Sequence, residues 1–510
     1  MTSRNDSPIG CISVEILCLI FSLSRSELKP HLGSFDVHRQ NLSVVRLTAV
    51  CSHWRSVAIE HAALWSNIAF TTSSLPTINC ATTFLRRSKG APLHVQVWNV
   101  STVEYAPLRR PPCSALSDLL SLISSQRHRI VFLETIGQLA NFFNALQGPA
   151  ENVARIIVQG HTPRRHLDPF SGKLPNVRRI TFIFPCRCRL RTLVNLTEVT
   201  LHNDSRKWNL DEFLDFVDGC SSLKSLTVTR FVSFYQGSGS SRVVSLPALA
   251  DIRLDTCDAA SILGHLKIPA TTSVFVCTDV KYLSNDSNIF SCMPSNIDRI
   301  NFLQSAKSLT IALDNSRGSF YISGSNGMAL VFLLQLCGPL ERLDDDWVYR
   351  SLEEAASILP FSDTTSLTLV TDSPRVPWDS WLRRCNHLSL LDVWCIDVCG
   401  LVEALNRTRR DIPLCHTIKN LSIIAPLDLW SRNAGALKSA IHLRKTHGSA
   451  LSHLTMSASE WDTIKRLDPT WVGLVRSKGS LFSTWQTLTF SHASRFTVDE
   501  DDSVTLVLKS

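Results

Sequence analysis

No stretch of about 18 uncharged apolar residues occurs in this chain, so no transmembrane helix is expected. Nor is there a Gly-x-x-x-x-Gly-Lys-Ser/Thr phosphate loop, a His-Glu-x-x-His helix or a Gly-x-Ser-x-Gly elbow. Asp344-Asp345-Asp346 is the densest acidic run before the tail, and no further acids follow it at calcium-loop spacing. Catalytic residues, cofactors and metal ligands are therefore not assigned, and a non-catalytic protein is expected. Concentrated charge is also lacking. The formal net charge is +8 over 510 residues, and basic runs are as short as Arg109-Arg110, Arg164-Arg165 and Arg409-Arg410. A nucleic-acid binder gathers its cations on one strip to meet phosphates, so no nucleic-acid partner is expected, and no membrane partner either.

Sixteen cysteines are present, but they are dilute, unlike those of a short secreted disulfide scaffold. Cys51, Cys220, Cys337, Cys385 and Cys415 all sit inside apolar patterns, where a free thiol serves as a small hydrophobe. Cys186-Arg187-Cys188 has no second Cys or His pair at zinc-finger spacing. A reduced interior, cytoplasmic or nuclear, is the expectation. Arg4 and the apolar residues from Ile9 to Phe21 have the outline of a secretory leader. Glu15 interrupts the segment, however, and no small-x-small cleavage site follows, so a secreted repeat protein is the weaker alternative.

The hydrophobic content is 44%, enough for a large core, and its distribution has two patterns. The first is helical. Between residues 12 and 23, Ile12, Ile16, Leu19, Ile20 and Leu23 recur at steps of three and four, with Glu15 off the stripe. A breaker-containing loop through Pro30 and Gly33 leads to a second run of Leu42, Val45, Leu47, Val50, Cys51, Trp54, Val57 and Ala58. A short block, Leu64-Trp65 with Ile68, closes the segment.

The second pattern is a repeated phrase: apolar, two variable residues, apolar, two more, then apolar-x-apolar. It occurs as Leu174-Pro-Asn-Val177-Arg-Arg-Ile180-Thr-Phe182 and as Leu193-Val-Asn-Leu196-Thr-Glu-Val199-Thr-Leu201. Further copies end in Leu226-Thr-Val228, Ile252-Arg-Leu254, Leu309-Thr-Ile311, Leu367-Thr-Leu369, Leu391-Asp-Val393, Leu421-Ser-Ile423, Leu454-Thr-Met456 and Leu488-Thr-Phe490. Degenerate copies are Leu93–Val97, Ile130–Phe132 and Ile156–Val158. Helix-like stretches lie between many of them, at 209–217, 352–359, 399–405 and 436–443. Residues 233–245 and 312–328 fit the phrase poorly and are expected to be inserted loops.

Strand, turn and helix repeated at roughly 20–35 residues resemble irregular leucine-rich repeats. The ordered helical blocks Ile12-Ser13-Val14-Glu15-Ile16-Leu17 with Ile20-Phe21, Leu47 to Ala58, and Leu64-Trp65 with Ile68 resemble an F-box of the fungal type. That family usually has Pro where this chain has Ser13, which can cap a helix by accepting an early N–H. The expected fold is α/β: a three-helix F-box bundle at 8–72, a connecting region with a first degenerate repeat at 73–128, and a solenoid at 129–510. In the solenoid a curved parallel sheet lies inside and helices lie outside.

The resemblance implies that the bundle docks on the Skp-type linker of a cullin–RING ubiquitin ligase while the repeats hold an unknown target protein. The docking residues it implies are Ile12, Glu15, Ile16, Leu17, Ile20, Val50, Cys51 and Trp54. An interaction scaffold with no ubiquitin role is the alternative. Alternation along a strand turns the middle residue of each apolar-x-apolar copy away from the core. Seven of those ten middle residues are Thr; the charged exceptions, Arg253 and Asp392, are the candidate target contacts.

Overall fold

Two register rows of apolar side chains organise the first half of the chain. Ile68, Val95, Leu133, Ile156, Ile180, Val199 and Leu226 are paired neighbours on seven successive strands. Phe70, Val97, Thr135, Val158, Phe182, Leu201 and Val228 form the second row, two residues further on. Every member of both rows is buried. In β-strands 93–98, 155–159, 179–183, 198–202 and 225–231 the core pair is the expected apolar-x-apolar pair, and a slip of one residue would turn both rows out of the core. In strand 130–136 the core pair is Leu133 and Thr135, beyond the expected Ile130–Phe132 copy.

The structure is a computed structural model. It describes residues 12–26, 36–98, 114–137, 142, 145–146, 148–159, 174–183, 193, 195–202, 210–231, 242–256, 258–279, 288–294, 301–314, 319–327, 329–337, 345–371, 373–409, 412–468, 475–479 and 503–508. It is α/β, with mostly parallel sheet, twelve α-helices among the described residues, and two units at 1–249 and 250–510.

The first unit begins with α1 (Val14–Ser26), α2 (Asp36–Thr48) and α3 (Ser52–Glu60), which pack on one another. The seven strands follow: β1 (Asn67–Thr71), β2 (Leu93–Trp98), β3 (Ile130–Ile136), β4 (Arg155–Gln159), β5 (Arg179–Ile183), β6 (Glu198–His202) and β7 (Ser225–Phe231). Each pairs in parallel with the next in sequence order. Helices α4 (Leu75–Arg87), α5 (Ser114–Ser125) and α6 (Leu210–Asp218) connect some of them. Two of these helices fall in the region 73–128, on either side of β2, the strand expected there as the first degenerate copy at Leu93–Val97.

The turns leading into β5, β6 and β7 are built the same way. Val177, Leu196 and Leu223 return their N–H groups to Leu174, Leu193 and Cys220, whose side chains are buried. In the turns before β4, β5 and β6 an asparagine reaches back to the turn before it. Asn176 donates from Nδ2 to the Glu151 carbonyl at 2.6 Å, and Asn195 to the Pro175 carbonyl at 2.7 Å. Asn152 does the same to His128. Exposed backbone carbonyls are thus bridged from one turn to the next.

The second unit contains β8 (Asp251–Thr256), β9 (Ser273–Asp279), β10 (Ser308–Asp314), β11 (Ser319–Asn326), β12 (Ala329–Cys337), β13 (Ser366–Thr371), β14 (Leu390–Cys395), β15 (Asn420–Ile424) and β16 (His453–Ser457). β10 joins β13, β14, β15 and β16 in parallel. Two further strands, β17 (Val475–Gly479) and β18 (Ser503–Leu508), end the sheet in antiparallel pairs. The helices are α7 (Ala259–Gly264), α8 (Asp345–Ile358), α9 (Trp378–Arg384), α10 (Val398–Asn406), α11 (Leu427–Thr446) and α12 (Ala458–Leu467). Asp345 and Asp346 open α8, where carboxylates complement the positive end of the helix dipole.

The stretch 312–328, expected as a loop, is instead largely strand. β11 pairs antiparallel with β10 and β12, and β12 pairs in parallel with β9. Phe320 and Ile322 alternate into the core, a period-two signal masked by the surrounding Ser and Gly. Gly324 explains itself in the register: it lies between Leu309 and Phe332 on the core face. A Cβ there would collide with the Phe332 ring and with Ala306. Residues 233–241, the Leu488–Phe490 copy, Cys186 and Cys188 lie outside the described residues.

Candidate functional site

Helix α1 starts on Ser13. The Ser13 Oγ accepts from the Ile16 N–H at 3.4 Å and its carbonyl from Leu17 at 3.0 Å, so a polar cap stands where proline was expected. The first-turn backbone N–H and the Ser13 hydroxyl hold the exposed Glu15 carboxyl below its usual range.

The helix is apolar nearly all round, and its two faces have different fates. Leu17 and Phe21 are fully buried, and the Phe21 ring meets Trp54 edge-on at 5.3 Å. Ile16, Leu19, Ile20 and Leu23 remain exposed, by 50, 54, 36 and 58%. Val45 on α2 and Val50 before α3 are exposed as well. The periodic stripe read from the sequence is thus the outward face.

Of the residues expected at the docking edge, Ile16, Ile20, Glu15 and Val50 are exposed, and Ile12 is half-buried. Leu17 must be removed from the edge. It lies one position round the helix from Ile16, on the side that faces the bundle interior, and no partner can reach it. Cys51 is a local cap for α3, its Sγ accepting from the Trp54 N–H at 3.4 Å. Trp54 is half-buried against Phe21, with its indole N–H enclosed and without an acceptor. Trp65 is core: its Nε1 donates to the Ala58 carbonyl at 2.7 Å, and Arg87 lies over its ring.

The second candidate region is the sheet face opposite the core rows. In the first unit its middle row runs Ala69, Gln96, Glu134, Ile157, Thr181, Thr200, Thr227. The threonines are half-exposed, as alternation requires, but Gln96 and Glu134 are buried at 5% each. Gln96 Nε2 donates to Glu134 Oε2 at 2.7 Å, while Gln96 Oε1 is enclosed without a partner. Burial raises the Glu134 pKa, against the Gln96 hydrogen bond and the Arg155 charge. Ala69 and Trp98 form a small apolar patch with Ile136 on the same face. Gln96 sits between core residues within the expected Leu93–Val97 copy, whereas Glu134 lies beyond the Ile130–Phe132 copy and carries no such signal in the sequence.

In the second unit the equivalent row joins Thr310, Thr368, Asp392, Ser422 and Thr455. Asp392 does not stand out on this face as expected. It is 6% exposed with Oδ1 unpartnered, and burial raises its pKa against the pull of Ser422 and Trp394. A partner must therefore displace covering atoms to reach it. Arg253 is exposed, its guanidinium 4.4 Å above the Phe275 ring on the neighbouring strand. The two candidate target contacts are thus unlike in access.

Among the described residues no group of three or more His, Cys, Asp or Glu side chains is arranged to hold a metal ion. No helix among them is long and apolar enough to cross a membrane. No family model matches the chain, and no curated protein matches it either.

Proposed function

We propose that this chain is the substrate receptor of an SCF-type cullin–RING ubiquitin ligase, with α1–α3 as an F-box that docks the Skp-type linker. In this reading the repeated strands form a leucine-rich-repeat-like solenoid that holds a target protein. One observation carries it: α1 presents Ile16, Leu19, Ile20 and Leu23 to solvent while Leu17 and Phe21 hold the helix in the bundle. A soluble protein rarely leaves so continuous an apolar face without a partner. The order of the helical blocks, Ser13 as a cap and the Phe21–Trp54 contact fit an F-box bundle. The asparagine-bridged turns and sequence-ordered parallel strands fit stacked repeats.

Such a receptor does no chemistry of its own. It raises the effective concentration of a target lysine near the ubiquitin thioester carried by the conjugating enzyme. The test is co-purification of the full chain with a Skp-type linker, native against Ile16→Asp and Leu19→Asp. Both substitutions lie on the exposed face, so each should abolish linker capture while circular dichroism and the unfolding midpoint stay near native. Capture that survives both changes refutes the docking assignment. Failure of any protein to accumulate on deletion of the chain would refute target delivery.

A further inference from the structure

Eleven free cysteines occur among the described residues, and two of them share a feature the rest lack. Cys277 on β9 and Cys337 at the end of β12 bring their sulfurs to 3.5 Å, and both thiols are half-exposed. The strands are parallel neighbours, with Cys277 opposite Gln335 and Cys337 opposite Asp279. The two cysteines are therefore diagonal neighbours on one face, the face that also carries Phe275 and, beside it, Arg253.

We propose that Cys277 and Cys337 are a peroxide-sensitive thiol pair that closes to a disulfide across β9 and β12. Cys337 is the attacking group. Either sulfur can donate the hydrogen bond between them; with Cys277 donating, Cys337 is drawn below the usual thiol range, although burial and the carboxylates of Asp255 and Asp279 oppose this. Cys277 is raised, chiefly by the same hydrogen bond and then by burial, and so keeps its proton until the second step. The thiolate is the nucleophile in such chemistry, and an accessible low-pKa thiol beside a resolving one is the arrangement that reacts.

The Cys337 thiolate attacks one oxygen of hydrogen peroxide. A sulfur–oxygen bond forms, the oxygen–oxygen bond breaks, and the departing hydroxide takes up a proton to become water. Cys277 then attacks the sulfenic sulfur. The sulfur–sulfur bond forms, the sulfur–oxygen bond breaks, and the leaving hydroxide takes the Cys277 proton as a second water. The balance is two thiols and one peroxide to one disulfide and two waters. Forming the bond brings the sulfurs to about 2.05 Å, so the two strands must draw together slightly. A thiol reductant reverses the change.

A second pair supplies an internal control. Cys385 and Cys415 interact as well, but both are buried, and the Cys415 thiol is committed to the Cys385 carbonyl at 3.2 Å. The inference does not depend on the ubiquitin-ligase reading, and linker capture plays no part in its test.

The full chain is treated with dilute hydrogen peroxide, alkylated and digested without reductant, and its peptides are weighed. The expected product is a peptide pair joined through Cys277 and Cys337 and lighter by two hydrogens, at least about tenfold more abundant than one joining Cys385 and Cys415. In Cys277→Ser, a sulfenic-acid trap should label Cys337. In Cys337→Ser, Cys277 should stay unlabelled. Equal joining of the two pairs overturns the proposal, and so does labelling of Cys277 in place of Cys337.

Discussion

Helix α1 and the sheet face carrying Gln96 and Glu134 depart from the usual distribution of side chains in opposite directions. The helix leaves Ile16, Leu19, Ile20 and Leu23 in solvent. The sheet encloses an amide and a carboxyl group, only one of whose hydrogen-bonding contacts is mutual. Scattered exposed leucines are ordinary, whereas a continuous apolar face or an enclosed polar group calls for a cause. For the helix, stability is already supplied by Leu17 and Phe21, so its outer face is surplus to folding. For the sheet, the polar pair is held by two core rows that flank it on the same strands, and its cost is carried by them. The proposed docking would use the apolar surplus outside, whereas the enclosed polar pair has to be offset by the core rows on the same strands.

The largest expected effect sharpens the helical side of this contrast. Leu17→Ala removes a fully buried side chain that touches the bundle interior. Loss of the transferred methyl groups plus the cavity left behind should cost about 2–5 kcal/mol. Urea unfolding followed by far-ultraviolet circular dichroism would report it as a lower midpoint for the first unit. A midpoint within error of the native chain would mean that α1 is not held by Leu17, and the division between inner and outer faces would fail.

How far this division could be read beforehand depends on the element. In the strands, a period of two leaves a single choice, and Ile180, Phe182, Val199 and Leu201 enter the core as the phrase predicts. In α1, residues of both faces are apolar, so the period marks a stripe without saying which side faces inward. The F-box resemblance places Leu17 at the docking edge, whereas the periodic stripe of Ile12, Ile16, Leu19, Ile20 and Leu23 leaves it out. β11 was hidden because its core residues, Phe320 and Ile322, are separated by Tyr and flanked by Ser and Gly, and no apolar-x-x-apolar turn precedes it. Alternation alone places Asp392 on the outward side of its strand. Its strand position is the expected one, and the covering of that position by its surroundings is a matter of three-dimensional packing. The Cys277–Cys337 contact joins residues 60 apart through an inserted strand pair that the sequence pattern did not reveal.

A smaller effect probes the sheet side. Glu134→Gln keeps an oxygen to accept from Gln96 Nε2 and adds an amide donor within reach of the unpartnered Gln96 Oε1. Burial raises the folded-state pKa of Glu134, so its ionisation weakens the native chain as pH rises through that value. Below the unfolded value of about 4.3 both states are protonated and the penalty is absent. The variant should therefore be more stable than the native chain at neutral pH, by about 1 kcal/mol. The advantage should narrow on acidification toward pH ~4. Paired urea titrations at the two pH values measure it. An advantage that widens on acidification would show that Glu134 ionises more easily in the folded chain than in the unfolded one.

The smallest effect is also the most discriminating, because it uses the same residue type on the same helix. Leu19 lies two positions from Leu17, but 54% of its surface is exposed against none for Leu17. Leu19→Ala removes atoms that water already surrounds, so stability should stay within about 0.5 kcal/mol of native. Alanine also favours the helix slightly, which offsets whatever contact with neighbouring turns is lost. If α1 is a docking face, the same change should weaken linker capture measurably, and Leu17→Ala should affect capture only in proportion to unfolding. Titration calorimetry with the linker, run beside the urea titrations, separates the two. A Leu19→Ala variant that loses stability in step with binding would mean the outer stripe belongs to the fold rather than to a partner, and the surplus inferred for α1 would not exist.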